Sequence, residues 1–268
     1  MDAQTAFIAS LTAAQRGAAT FPVDHVEWRR WANPHVYRRV GVSFDEMNDA
    51  QRAAGLDLLR AALSAKGLRL TQDIMRLNHT LAELNDDNFE EYGEGLYFLT
   101  MMGEPSATEP WGWQLDGHHL AINYFVLGDQ VVMTPTFMGS EPVAATTGRY
   151  AGTKVLQAEQ DLGLAFVHAL SEEQRGRAVV KVSRDGNENV GEAFRDNLSL
   201  EYIGIPASEL DGDQRERLLE LVATYVGHIR EGHARVRMEE VRAHLDDTWF
   251  AWIGETGPES VFYYRVQS

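Results

Sequence analysis

The chain contains no cysteine among its 268 residues, which removes disulfide staples, thiolate metal ligands and thiol nucleophiles together. Basic residues are also scarce, 24 against 40 acidic ones, and the resulting formal charge of -16 repels phosphate backbones and anionic membrane surfaces. Neither nucleic acid nor a membrane is therefore an expected partner. No stretch approaches about 18 uninterrupted apolar residues. The opening Met1-Asp-Ala-Gln-Thr-Ala-Phe-Ile-Ala-Ser10 has neither a basic leader nor a long apolar core, so a soluble cytoplasmic protein is expected. Phosphate-cradling glycine loops, His-Glu-x-x-His and the nucleophile elbow are missing too, and no nucleotide cofactor is expected. What remains is 44% hydrophobic, ordinary for a globular chain, which at this length buries roughly 75% of its unfolded surface without a covalent staple.

What is present is written twice. Phe7-Ile-Ala-Ser-Leu-Thr-Ala-Ala-Gln15-Arg-Gly recurs 159 positions later as Phe166-Val-His-Ala-Leu-Ser-Glu-Glu-Gln174-Arg-Gly. Gly41-Val-Ser-Phe-Asp-Glu46-Met-Asn-Asp-Ala-Gln51-Arg recurs 163 positions on as Gly204-Ile-Pro-Ala-Ser-Glu209-Leu-Asp-Gly-Asp-Gln214-Arg. At an offset of 151, Gly103-Glu104 falls on Gly254-Glu255, Trp111 on Phe262, Trp113 on Tyr264 and Gly117 on Ser268. Matched segments in the same order argue for a duplication. The Gln-Arg pairs recur at matching helix starts, which favours a structural over a catalytic role for them. The expected fold class is α+β: one domain, 1–268, made of two related halves of about 1–150 and about 151–268, each packing helices on antiparallel strands.

Local signals fill in the halves. Thr12 and Ser171, then Asn48 and Asp211, stand where helix N-caps belong, and Leu56, Leu59 and Leu63 recur at helical spacing, as do Leu218, Leu219, Val222 and Val226. Gly67 reads as a helix stop, followed by another helix from Thr71 to Leu84. Ala121 to Leu127 and Gln130 to Thr136 flank Gly128-Asp129, a hairpin turn dipeptide. With Leu127 opposite Gln130, Ala121 is expected opposite Thr136. His118 and His119 are then expected on opposite faces of a strand at the floor of a partly enclosed cleft, unless Gly117 introduces a bulge.

The chemistry-bearing segment is Trp111-Gly-Trp113-Gln-Leu-Asp116-Gly117-His118-His119-Leu-Ala-Ile-Asn123. Neutral imidazole is a common metal ligand and general base, so His118 and His119 are candidate metal ligands and catalytic groups, with Asp116 orienting or neutralising a ring. Trp111, Trp113, Asn123, Thr134 and Glu141 are candidate substrate-binding side chains. Each has a plainer reading: His118 as a hydrogen-bonded core residue, His119 as a solvated one, and the tryptophans as core anchors. Asp185-Gly-Asn187-Glu-Asn189-Val-Gly-Glu192 has alternating oxygen ligands but Val190 where a calcium loop turns on glycine, so it reads as a polar turn. His228 and His233, five apart, point away from one another on a helix.

Leu96-Tyr-Phe-Leu-Thr-Met-Met-Gly-Glu-Pro105, Trp111-Gly-Trp-Gln-Leu-Asp-Gly-His-His-Leu120, Thr134-Pro-Thr-Phe-Met-Gly139 and Tyr202-Ile-Gly-Ile205 together resemble the uncharacterised family known as domain of unknown function 3500. The resemblance covers most of the chain, and its specific core is Gly-His-His-Leu after Trp-Gly-Trp. It implies a further C-terminal piece with a His-x-His motif, so the second half is expected to be incomplete, with an exposed apolar edge after Ser260 to Ser268. It names no reaction. The residues themselves lead to an enzyme, a hydrolase or oxidoreductase, holding a divalent transition metal at His118 and His119 and acting on a small molecule. A non-catalytic small-ligand-binding protein and an assembly module recruited through an unpaired sheet edge are the alternatives.

Overall fold

The structure, a computed structural model, describes residues 2–184, 193–195 and 198–268. The Asp185–Glu192 segment therefore lies outside the described residues. Two compact units are present: one comprises Met1–Val155 with a short excursion at 193–195, and the other comprises the remaining described residues from Leu156 on. The fold is α+β. Among the described residues no helix is long and apolar enough to cross a membrane.

The first unit runs α1 (Asp2–Ser10), α2 (Ala13–Ala19), β1 (Thr20–Phe21), β2 (Val42–Ser43), α3 (Asp49–Ala62), α4 (Ala65–Leu84), α5 (Phe89–Tyr92), β3 (Tyr97–Met102), β4 (Trp111–Gly117), β5 (Leu120–Leu127), β6 (Gln130–Val132) and β7 (Thr136–Met138). Its seven strands form one sheet in the order β1-β3-β4-β5-β6, with β2 also on β3 and β7 also on β5. β4 lies between two long neighbours and is buried along its whole length. The second unit runs α6 (Gln157–Ala169), α7 (Glu172–Ala178), β8 (Val179–Lys181), β9 (Ile205–Pro206), α8 (Gly212–Val226), α9 (Glu231–Ala243), β10 (Trp249–Gly254) and β11 (Phe262–Gln267). Here β10 pairs with β8, β9 and β11. Its core gathers Phe166, Leu218, Leu221, Phe250 and Trp252, with Phe166 edge-on to Phe250 at 4.6 Å.

Glutamine fixes the helix starts in both units. Thr12 with Gln15, Asn48 with Gln51, Ser171 with Gln174 and Asp211 with Gln214 each form a reciprocal capping box, which satisfies backbone donors that a helix start otherwise leaves open. The boxes are then tied in pairs. Gln51 Nε2 donates to Gln15 Oε1 at 2.7 Å and to Ser10 O at 2.9 Å, while Gln214 Nε2 donates to Gln174 Oε1 at 2.8 Å and to Ala169 O at 2.9 Å. Strand pairing follows the same separations that relate the sequence segments. Thr20 opposes Met101 as Val179 opposes Trp252, Val42 opposes Leu99 as Ile205 opposes Phe250, and Met101 opposes Trp113 as Trp252 opposes Tyr264.

Three local expectations need correction. Gly67 does not end a helix: α3 stops at Ala62, Ser64 caps α4, and the Gly67 N–H donates to the Ser64 hydroxyl oxygen. The hairpin at Gly128-Asp129 forms with Leu127 opposite Gln130, but its return strand breaks around Pro135, which lacks an N–H for the ladder. Pairing resumes one residue out of phase, with Ile122 opposite Thr136 and Ala121 opposite Phe137. Third, His118 and His119 are not on a strand. Gly117 pairs with Leu120, so the two histidines are the two-residue turn between β4 and β5.

Gln51 and Gln214 are 3% and 6% exposed, so truncating either orphans a cap and a partly buried carbonyl together. Gln51→Ala and Gln214→Ala are each expected to cost about 2 kcal/mol. Urea unfolding checks this, and a loss below about 0.5 kcal/mol at either site would remove the linked caps from the account of the fold.

Candidate metal centre

The turn that carries the histidines is strained and held. His119 adopts φ 57, a left-handed conformation that costs a residue with a Cβ roughly 1 kcal/mol or more. Its N–H donates to Asn33 O at 3.1 Å, and its carbonyl accepts from the Gly139 N–H at 2.7 Å. The residue before the turn must be glycine for a packing reason, since a Cβ at Gly117 would lie 2.1 Å from Tyr97 Cδ1. Tyr97 in turn donates its hydroxyl to the His118 carbonyl at 3.0 Å.

Reversal of the chain at this turn stacks the two rings, centroids 4.0 Å apart and planes at 26°. Each ring is steered by an asparagine. His118 Nδ1 lies 2.8 Å from Asn78 Oδ1, and Asn78 Nδ2 donates to Gly93 O at 3.0 Å, so the amide presents its oxygen to the ring and Nδ1 carries the proton. The His118 ring then keeps a lone pair on Nε2. His119 Nδ1 lies 2.7 Å from Asn33 Oδ1. His119 Nε2 is 3.5 Å from Glu141 Oε2, and one ligand atom each from His118, His119 and Glu141 lie within 4.8 Å of one another. The three grade from buried His118 through half-buried His119 to Glu141, whose side chain is 69% exposed.

Burial disfavours the charged form of both rings. Burial first, then the neighbouring His119, His35 and Arg39, hold His118 down at about 3. Burial also lowers His119, and it outweighs the attraction of Glu141. Neutral imidazole is the form that binds a metal. His118, His119 and Glu141 are thus a group that could hold a metal ion.

Two further groups border the turn. His35 stands edge-on to His118 with centroids 5.2 Å apart, and its Nε2 is 3.4 Å from the Tyr92 hydroxyl and 3.7 Å from Glu91 Oε2. The loop that brings Asn33 and His35 here is wrapped around Arg39, whose guanidinium donates to the carbonyls of Ala32, Pro34, His35 and Tyr37. Arg39 Nε also faces Asp116 Oδ2 at 3.2 Å, an ion pair with both side chains under 8% exposed. Asp116 Oδ1 accepts the Ala32 N–H at 3.3 Å. Burial pushes the Asp116 carboxyl up to about 7, against the downward pull of Arg39.

The sequence expectations divide accordingly. His118, His119 and Glu141 come together. Asp116 faces Arg39 and the loop, and the asparagines hold the rings instead. Trp113 is 1% exposed and stacked on Tyr124 at 5.1 Å, Trp111 donates its indole N–H to Ser106 O, and Asn123 is engaged by Gln114 and Trp28 O. These three side chains are committed to packing and hydrogen bonding, while Thr134 is exposed on the broken return strand. His228 Nε2 lies 3.6 Å from Glu159 Oε1 in the second unit. Sequence reasoning missed Asn33, His35, Arg39 and Asn78. Asn33-Pro34 signals a turn, but nothing in the sequence announces contact with residues more than 80 positions away.

The family model described as "Protein of unknown function (DUF3500)" matches residues 1–268, and the chain belongs to that family. No curated protein and no solved structure matches it.

Imidazole nitrogen NMR on the metal-free protein should show His118 as the Nδ1–H tautomer, still neutral at pH 5, where an unperturbed histidine is mostly protonated. A depressed pKa implies the matching linkage: the stability that neutral His118 contributes is complete above 6.5 and is lost as the pH falls towards about 3. An ordinary titration near 6.5 would refute both. Arg39→Leu is expected to cost about 3–5 kcal/mol in urea unfolding, because it leaves Asp116 buried and unpaired.

Proposed function

We propose that this member of the DUF3500 family is a metal-dependent enzyme, with a divalent transition metal held by His118, His119 and Glu141 and a small molecule as substrate. One observation carries the reading: two stacked rings, each with Nδ1 beside an asparagine amide oxygen, bring a ligand atom apiece within 4.8 Å of the Glu141 carboxylate. Metal-binding histidines characteristically donate their second ring nitrogen to such an acceptor. Two imidazoles and one carboxylate leave coordination positions for water and substrate, the donor set of zinc hydrolases and of non-haem iron oxygenases alike. A metal there would supply Lewis acidity or activate water or oxygen.

The protein's own residues supply the rest. Asn78 and Asn33 set ring tautomer and direction, Arg39 and Asp116 fix the loop that delivers Asn33, and His35 with Tyr92 offers polar groups on the approach to His118. The exposed side of Glu141 leaves the site open to a small molecule, and Thr134 remains a candidate contact. The matching caps and strand registers of the two units support their origin as copies of one ancestral unit.

Metal analysis of the dialysed protein by inductively coupled plasma mass spectrometry is expected to find about one transition metal per chain. His118→Ala and His119→Ala should abolish tight binding, Glu141→Ala should weaken it without unfolding the protein, and Asn78→Ala should weaken it roughly 10–100-fold. Absence of tight binding in the unmodified protein, or unchanged binding in His119→Ala, would overturn the proposal.

A further inference from the structure

The two units treat equivalent strands differently. β4 is paired on both sides and buried throughout, whereas β11 pairs among the described residues with β10 alone and is only partly buried at every position. Beside β11 runs a groove of about 770 Å³ lined by Val222, Val226, Val241, Phe262 and Tyr264 on its apolar side and by Arg265. Among the described residues, Arg265 Nε is buried and has no hydrogen-bond partner. A buried donor without an acceptor is costly, which makes it a point of recognition.

The first unit shows what such an edge accepts. At the separation of 151 that relates β3 and β4 to β10 and β11, Arg265 corresponds to Gln114 and Tyr264 to Trp113. Gln114 Nε2 donates at 2.7 Å to Asn123, its direct opposite on β5, and Trp113 stacks on Tyr124, the next residue along. We infer that the outer edge of β11 binds an extended partner strand by antiparallel β-addition, with an acidic residue opposite Arg265 and an aromatic residue directly after it opposite Tyr264. The strand's backbone completes the ladder, its acid neutralises the guanidinium, and its aromatic ring covers the groove. The inference uses the correspondence between units and is independent of the metal.

The probe is a fluorescein-labelled peptide of the segment Leu120 to Leu127 in which Asn123 is replaced by Asp, with a lysine added at each end. Fluorescence anisotropy with the full chain is expected to show saturable one-to-one binding, and hydrogen exchange should slow across residues 262–267. A peptide with Lys in place of that Asp should bind at least tenfold more weakly, and Arg265→Glu should reverse the preference. The two peptides test the contact on unaltered protein even if Arg265→Glu fails to fold. No saturable binding, or equal binding of a scrambled peptide, would overturn the inference. So would protection of 262–267 that appears without peptide and rises with protein concentration, which would assign the edge to a second copy of the chain.

Discussion

The centre depends on one buried ion pair. Arg39 and Asp116 are both almost fully shielded, and the carboxyl would be costly to bury without the guanidinium. Yet the pair does more than cancel charge. The Arg39 nitrogens also bind four carbonyls of the loop from Ala32 to Tyr37, so a segment with no ladder of its own is shaped around a single side chain. Asp116 then pins that loop to β4, two residues before His118. The placement of Asn33 and His35 follows from where the guanidinium sits.

The choice of amide partners matters as much as their position. A carboxylate on Nδ1 would draw each ring towards imidazolium, whereas an amide oxygen accepts the ring proton without adding charge. Asn78 is 3% exposed, so its dipole acts in a poorly screened setting and holds the tautomer firmly. Glu141 meets the His119 ring at the solvent side, where water screens it. Charge is thus kept off the rings and offered from outside.

The parts of this arrangement that were legible in the sequence are those written in local chemistry. Capping residues at Thr12, Asn48, Ser171 and Asp211 announced helix starts, and Gly128-Asp129 announced a hairpin between the strands that flank it. The histidine turn was hidden because Gly-His-His-Leu lacks the usual Asn-Gly or Asp-Gly signal, and the apolar pattern on both sides reads as one strand. Its geometry comes from Asn33 and Gly139 gripping the His119 backbone, a tertiary cause. The same holds for the return strand, where the hairpin signal did not announce the one-residue slip that follows Pro135. His118 and His119 could be nominated as ligands from residue type alone. Glu141 could be nominated only as a nearby polar group, since it reaches His119 across that break.

Comparison of the two units separates scaffold from site. The linked glutamine caps occur in both, as do the positive-φ glycines at Gly41 and Gly204, where a Cβ would strike the Leu99 or Phe250 carbonyl oxygen at 2.5 or 2.0 Å. Those shared features answer the same demand, joining two helix starts to a central strand. The difference lies at the position of Asp116, which corresponds to Gln267. Gln267 donates its amide to Leu200 O, so a neutral side chain is enough to tie the strand to the passing loop. The first unit replaces that amide with a carboxylate and adds a buried arginine, a more costly solution to the same structural task. What the extra charge accomplishes is the ordering of the loop that carries Asn33 and His35. The expensive version stands beside the stacked histidines, where positioning is needed.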